Sequence, residues 1–229
     1  QVENPGESQS KSILILNGTA HLGNGKVVEN AAISFKDGKL TMVADASRIK
    51  LEFSQFDTII KANGKHIYPG FIAPNSTLGL TEIGAVRMTH DYAEYGIFNP
   101  HVRAIVAYNT ESKITTTIRS NGVLMAQATP KGARISGTSS VVQLDAWNWQ
   151  DAAYAMDNGI HFKMPALINR PTAFQRRGAN ADPVAAGLAR LEEARSFFQE
   201  AKAYLNEKTH TSTNLKFEAE VITQVSLCE

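Results

Sequence analysis

From Ser12 to His66 the apolar positions come in short runs broken at regular intervals. "SILILNGTAHLGNGKVVENAAISFKDGKLTMVA" holds Ile, Leu, Val and Phe in groups, interrupted at Asn17-Gly18, Gly23-Asn24-Gly25 and Asp37-Gly38. Asn-Gly and Asp-Gly tolerate the positive φ of tight turns, so the pattern predicts antiparallel strands joined by hairpins. In "AISFKDGKLTMV", Ile33 and Phe35 alternate with polar residues before the turn, and Leu40 and Met42 after it. A further strand is expected in "FDTIIKANGKHIYPGF", with a turn at Asn63-Gly64. Residues 13–66 therefore read as a small β domain behind a polar leader, residues 1–12.

The pattern then changes. Residues 67–73 read as a strand, followed by a long polar loop to about Pro100. Pro100 can open a helix with Asn99 as its cap, which puts Val102, Ile105, Val106 and Asn109 on one face. The β-branched run "ITTTI" counts against helix just beyond, and Asn121-Gly122 is a stop. "VLMAQATP", "RISGTSSVVQLDAW" and "GIHFKMPAL" read as three more strands. From Asp182, a cap followed by Pro183, "VAAGLARLEEARSFFQEAKAYLNEK" predicts a long amphipathic helix near 183–206. Its expected face carries Leu188, Leu191, Arg195, Phe198 and Leu205. A short strand fits Val221–Val225.

Composition removes several function classes. The 229 residues carry 23 Lys and Arg against 22 Asp and Glu. That balance gives no electrostatic basis for binding nucleic acid or an anionic membrane, and Arg176-Arg177 reads as a solvated loop. No apolar run reaches the length of a membrane span. The single cysteine, Cys228, excludes an internal disulfide and a cysteine-based zinc site. The chain opens on Gln1 and a polar leader, which gives the expectation of an exported, periplasmic or extracellular protein.

Chemistry-bearing residues are sparse. None of the six histidines stands at i,i+2 or i,i+4 from another. His90 and Glu94 would share a helical face and otherwise read as solvated polar groups. Ser136–Ser140, "SGTSS", lacks the second glycine of a nucleophile elbow, so a hairpin or backbone-contact role is expected. Trp147 and Trp149 either line a ring-binding pocket or pack the rim of the fold.

Three segments in order carry a resemblance. "GKHIYPGFIAPNSTLG" is similar to the approach to the first barrel strand in amidohydrolases, Pro-Gly-Phe/Leu-Ile-Asp-x-His-x-His. "NPHVRAIVAYNTESKITTTIRSNGV" is similar to an Asn-rich helix and turn into the second strand. "PKGARISGTSSVVQLDAW" resembles a Gly-rich hairpin. Over residues 12–218 the chain resembles the N-terminal half of a composite-domain amidohydrolase of the imidazolonepropionase-like branch. The resemblance implies an α/β fold: the N-terminal part of a β-sandwich plus an incomplete (β/α)8 TIM-type barrel over 67–229. It implies a hydrolase acting on non-peptide C–N bonds, cyclic substrates among them, with a divalent metal such as zinc in the intact family member. Carried over by position, the metal-binding pair falls on Asn75 and Thr77, and an acidic neighbour falls on Ala73. An amide and a hydroxyl are poor zinc ligands. The expectation is thus no metal and no cofactor in this chain, with Asn75, Thr77 and Trp147 facing an unknown small molecule. A truncated chain, inactive alone, is expected to self-associate or to pair with a completing C-terminal half. The alternative is a non-catalytic descendant that binds a small molecule or a partner.

Overall fold

A computed structural model of the chain describes residues 5–167 and 183–206. The expected cap Asp182, the Arg176-Arg177 pair and the strand at 221–225 lie outside them. The chain divides into two compact units between Phe71 and Ile72.

The first unit is built on β1 (Ile13–His21), β2 (Val27–Lys36), β3 (Lys39–Asp45), β4 (Thr58–Lys61) and β5 (His66–Ile67). Strand order is β3-β2-β1-β4, with β5 also paired to β1. The β2–β3 hairpin forms as the pattern predicts. Asp37 and Gly38 have φ of 52° and 70°, the double positive φ of the turn that matches strand twist. Two expectations change. The sheet is mixed, because β4 and β5 run parallel to β1. Asn17-Gly18 is no turn but a bulge inside β1, where the register to β2 shifts. Asn17 takes φ 60°. A Cβ on Gly18 would lie 2.7 Å from Ile67 Cδ1 and 2.9 Å from the Ala62 Cβ, so glycine lets β1 and its parallel neighbours close up. Ala31 to Ser34 are buried on both faces of β2. Leu14, Leu16 and Ala32 form one small core, and Ala20, Ala31 and Ile33 the other. Gln9 and Ser12 are tied to this unit: Gly38 N–H donates to Gln9 Oε1 at 2.7 Å, and Ser12 N–H to Asp57 Oδ2 at 2.7 Å.

The second unit carries a four-stranded sheet, β6 (Phe71–Ser76), β7 (Val123–Ala128), β8 (Ile135–Gln143) and β9 (Ala153–Phe162), in that order. β7–β8 and β8–β9 are antiparallel. The strand expected at 67–73 is displaced to β6. The helix expected from Pro100 is not formed there. Residues 98–103 lie along β8 instead, with parallel bridges Phe98–Ile135 and Arg103–Thr138. Their backbone groups go to β8: Asn99 N–H donates to Ile135 O at 2.9 Å, and Val102 O accepts from Thr138 N–H at 2.8 Å. Residues 104–107 make one 3-10 turn, and the helix, α1, is Lys113–Ser120, the β-branched run itself. Local hydroxyls explain this reversal. Ser112 caps α1 by accepting from Ile114 N–H at 3.3 Å, Thr115 Oγ1 donates to Ser112 O, and Thr117 Oγ1 to Lys113 O. Residues 90–94 are not helical either; His90 pairs with Thr81 in an isolated bridge.

Among the described residues one hydrophobic core lies in this unit. Leu80, Ile105, Tyr108, Ala126, Val142 and Ala152 are buried in it, with Trp149 packed against it. α2 is the single turn Trp149–Ala152. The long helix, α3 (Pro183–Asn206), is present, but among its described side chains the buried positions are Gly187, Ala194 and Ala201, seven residues apart. Leu188 and Phe198 are exposed, against expectation. Small residues allow close approach: a Cβ on Gly187 would lie 2.7 Å from Leu167 Cδ2. Phe197 stacks on Phe98 at 4.7 Å, so the large apolar contact comes from one residue beside the expected face.

Candidate functional site

β8 is unusual because four of its buried positions carry hydroxyls. Ser136, Thr138, Ser139 and Ser140 are all buried, so each hydroxyl needs a partner. Those partners organise the neighbouring strands. Ser136 Oγ donates to Ala133 O at 3.2 Å. Ser139 Oγ lies 3.1 Å from Asn158 Oδ1 and accepts from Gln127 Nε2 at 3.1 Å. Gln127 Oε1 in turn accepts the Asn75 N–H at 3.1 Å. This chain of bonds crosses from β9 through β8 and β7 to the end of β6. Asn75 sits there with φ 47°, a left-handed conformation that asparagine tolerates.

A second brace holds the β8–β9 hairpin. Arg103 grips Asp157 with Nε at 2.9 Å and Nη2 at 2.7 Å from Oδ2. Thr138 Oγ1 donates to Asp157 Oδ1 at 2.7 Å, and Asp157 N–H to Ser140 Oγ at 2.9 Å. Burial pushes the Asp157 carboxyl up, but the Arg103 and Thr138 hydrogen bonds and the guanidinium charge outweigh it and hold it below the ordinary value. Gly137 makes the brace feasible. It has φ 118°, and a Cβ there would fall 2.2 Å from Val102 O. The expected backbone-contact role of "SGTSS" is thus filled by Gly137 against the segment that carries Arg103.

A cavity of about 320 Å³ lies at the ends of β6, β7 and β9, with Asn75 of the first brace in its lining. Asn75, Thr129, Lys131, Ser136, His161 and Lys163 supply its polar lining. Burial, and then the Lys131 charge, lower the His161 pKa below its ordinary 6.5, so the imidazole is neutral at pH 7. A neutral imidazole, two ammonium groups and an amide, with no carboxylate in the lining among the described residues, favour a polar or anionic guest.

Of the three expected ligand-facing residues, one lines this cavity. Asn75 does. Thr77 is half-buried in the following turn, where its carbonyl accepts from Leu80 N–H at 2.9 Å. Trp147 is 59% exposed beside α2, its carbonyl accepting from Thr110 Oγ1 at 3.1 Å. Trp149, not Trp147, packs against the core. The sequence reading did not single out Lys131, His161, Lys163, Gln127 or the Arg103–Asp157 pair. The signal at hand was the run of small hydroxyl residues in "SGTSS", whose burial requires partners on adjacent strands.

The donor set does not fit a zinc centre. One imidazole, an amide, two hydroxyls and two ammonium groups line the cavity, and the ammonium groups repel a cation. Among the described residues no group of three or more His, Cys, Asp or Glu side chains could hold a metal.

Among solved structures the chain is similar to an amidohydrolase from Thermotoga maritima. The TM-score is 0.69 and the identity 20%, over 94% of this chain and 61% of that one. An ochratoxinase from A. niger aligns over 32% of this chain and 17% of its own, at 19% identity and a TM-score of 0.28. No protein-family model and no curated protein matches the chain. The fold is amidohydrolase-like. The chain spans 61% of the length of the Thermotoga protein.

Proposed function

We propose that this chain is part of a hydrolase of the amidohydrolase type that cleaves non-peptide C–N bonds in a small substrate, cyclic compounds included. The supporting observation is the polar cavity at the end of β6 in a chain whose fold is amidohydrolase-like. Ligands of α/β proteins gather at the carboxyl ends of strands, which is where Asn75 and Thr129 stand. His161 is neutral and can accept a proton, Asn75 and Ser136 can orient a carbonyl or ring nitrogen, and Lys131 can stabilise developing negative charge. These donors do not suit a metal ion.

Turnover by this chain needs structure supplied from outside it, in the form of a completing C-terminal half with further barrel strands. Ile72 and Leu124, on β6 and β7, are 59% and 50% exposed, and such a half would cover them. Without it the chain self-associates, and light scattering gives a mass above the monomer's 24.9 kDa. A monomer at micromolar concentration contradicts this. A panel of linear amides, lactams and cyclic ureides, followed by mass spectrometry and saturation-transfer NMR, tests the reading. The expected result is saturable binding of panel members without hydrolysis. Binding of none removes the assigned substrate class; hydrolysis by this chain alone removes the need for a completing half.

A further inference from the structure

The small sheet carries a histidine pair that the cavity chemistry does not use. β5 pairs with β1 in parallel, with Thr19 opposite His66 and Ala20 opposite Ile67. Side chains alternate along a strand, so Thr19, His21, His66 and Tyr68 share one face, while Ala20 and Ile67 point to the core on the other. The result is a close set. His21 Nε2 lies 2.9 Å from His66 Nδ1. Tyr68 stacks on His21 with ring centroids 4.4 Å apart and planes inclined by 7°. His66 is exposed, His21 is half-buried, and Tyr68 is 58% exposed.

From this geometry we infer that His21 and His66 form a two-imidazole chelate for a late first-row divalent cation, Cu2+ in preference to Zn2+, with water completing the coordination. Two imidazole nitrogens at about 2.0–2.1 Å from one metal stand about 2.9 Å apart at a right angle and about 3.3–3.4 Å apart in a tetrahedron. The observed separation matches the right angle of a tetragonal ion. Cu2+ prefers that geometry, and it leads the divalent affinity order for nitrogen sites. In the free pair one ring nitrogen donates its proton to the other. Binding moves that proton to the outward nitrogen of the same ring, so both facing nitrogens present lone pairs and no net proton is lost. The Tyr68 ring stacks on His21, and the half-buried Ile67 on the opposite face packs the strand that carries His66 against the core. The i,i+45 spacing hides the pair from any short-motif search. The cavity beside Asn75 plays no part in it.

The test is a Cu2+ titration of the full chain against glycine as competitor, read by visible absorption and by EPR. One equivalent with nitrogen superhyperfine structure from two imidazoles is expected. His21→Ala and His66→Ala each lower the affinity by roughly 100-fold, the scale on which a second linked contact acts. His21→Asn and His66→Asn, checked for folding by circular dichroism, give the same loss. His210→Ala leaves the site intact. A single-imidazole spectrum, an unchanged affinity in the folded His21 and His66 variants, or loss of the site in His210→Ala overturns the assignment.

Discussion

β2 and β8 are both buried on two faces, and they achieve it by opposite means. Ala31, Ala32 and Ile33 put apolar groups into two small cores, with Ser34 as the polar exception. Ile135 to Ser140 put four hydroxyls inside and bond them to β7, β9 and the segment at 98–103. The apolar strand makes a stable sheet. The polar one ties together four chain segments and leaves a cavity at their ends, so the site follows from which strand was given hydroxyls.

The sharpest contrast is between the two glycines that let chains approach. Gly137→Ala drives a Cβ into the Val102 carbonyl, 2.2 Å away, at φ 118°. Backbone cannot yield as a side chain can, so a loss of roughly 3 kcal/mol or more is expected by urea denaturation. Gly18→Ala meets the Ile67 side chain and the Ala62 Cβ, and should cost about 1–3 kcal/mol. Equal losses would break the comparison. Next, Leu14→Ala empties a fully buried site in an apolar core. It should cost about 2–4 kcal/mol without altering the His161 resonances.

Arg103→Met tests the polar brace. The pair is partly exposed and screened, so about 1 kcal/mol is expected. The pH dependence is more telling. The Asp157 carboxyl is held below its ordinary 3.8, so its contribution is present above that value and is lost as pH falls through the depressed one. An NMR titration should show the Asp157 pKa rising in Arg103→Met. The smallest effect concerns His161. Its pKa is lowered in the fold, so below 6.5 the unfolded chain takes up a proton that the folded chain resists. Stability should fall as pH drops below 6.5, and His161→Gln should remove that dependence.

How much was legible in the sequence follows the same division. The β2–β3 hairpin, the strands at "VLMAQATP" and "RISGTSSVVQ", and α3 follow from alternation, turn residues and helical spacing. Asn17-Gly18 was misread because a bulge and a turn ask for the same residues. Residues 98–120 were inverted because β-branching weighs on isolated helices, while Ser112, Thr115 and Thr117 supply hydroxyl bonds that a propensity cannot show. Of the cavity lining, Asn75 is the one residue that the motif singles out. Thr77 lies outside the cavity because the chain turns just past β6, and Trp147 because it sits in the connection between β8 and α2. Lys131, His161 and Lys163 reach it only through strand pairing, which carries no local sign.

The most direct test is an NMR titration of the imidazole signals with hydantoin-5-acetate, a cyclic, anionic C–N compound. The expected result is a saturable shift of the His161 signals, weakened several-fold in Asn75→Ala and absent at His21 and His66. Shifts that bypass His161, or an affinity indifferent to Asn75, would contradict the assignment of this cavity as the substrate site.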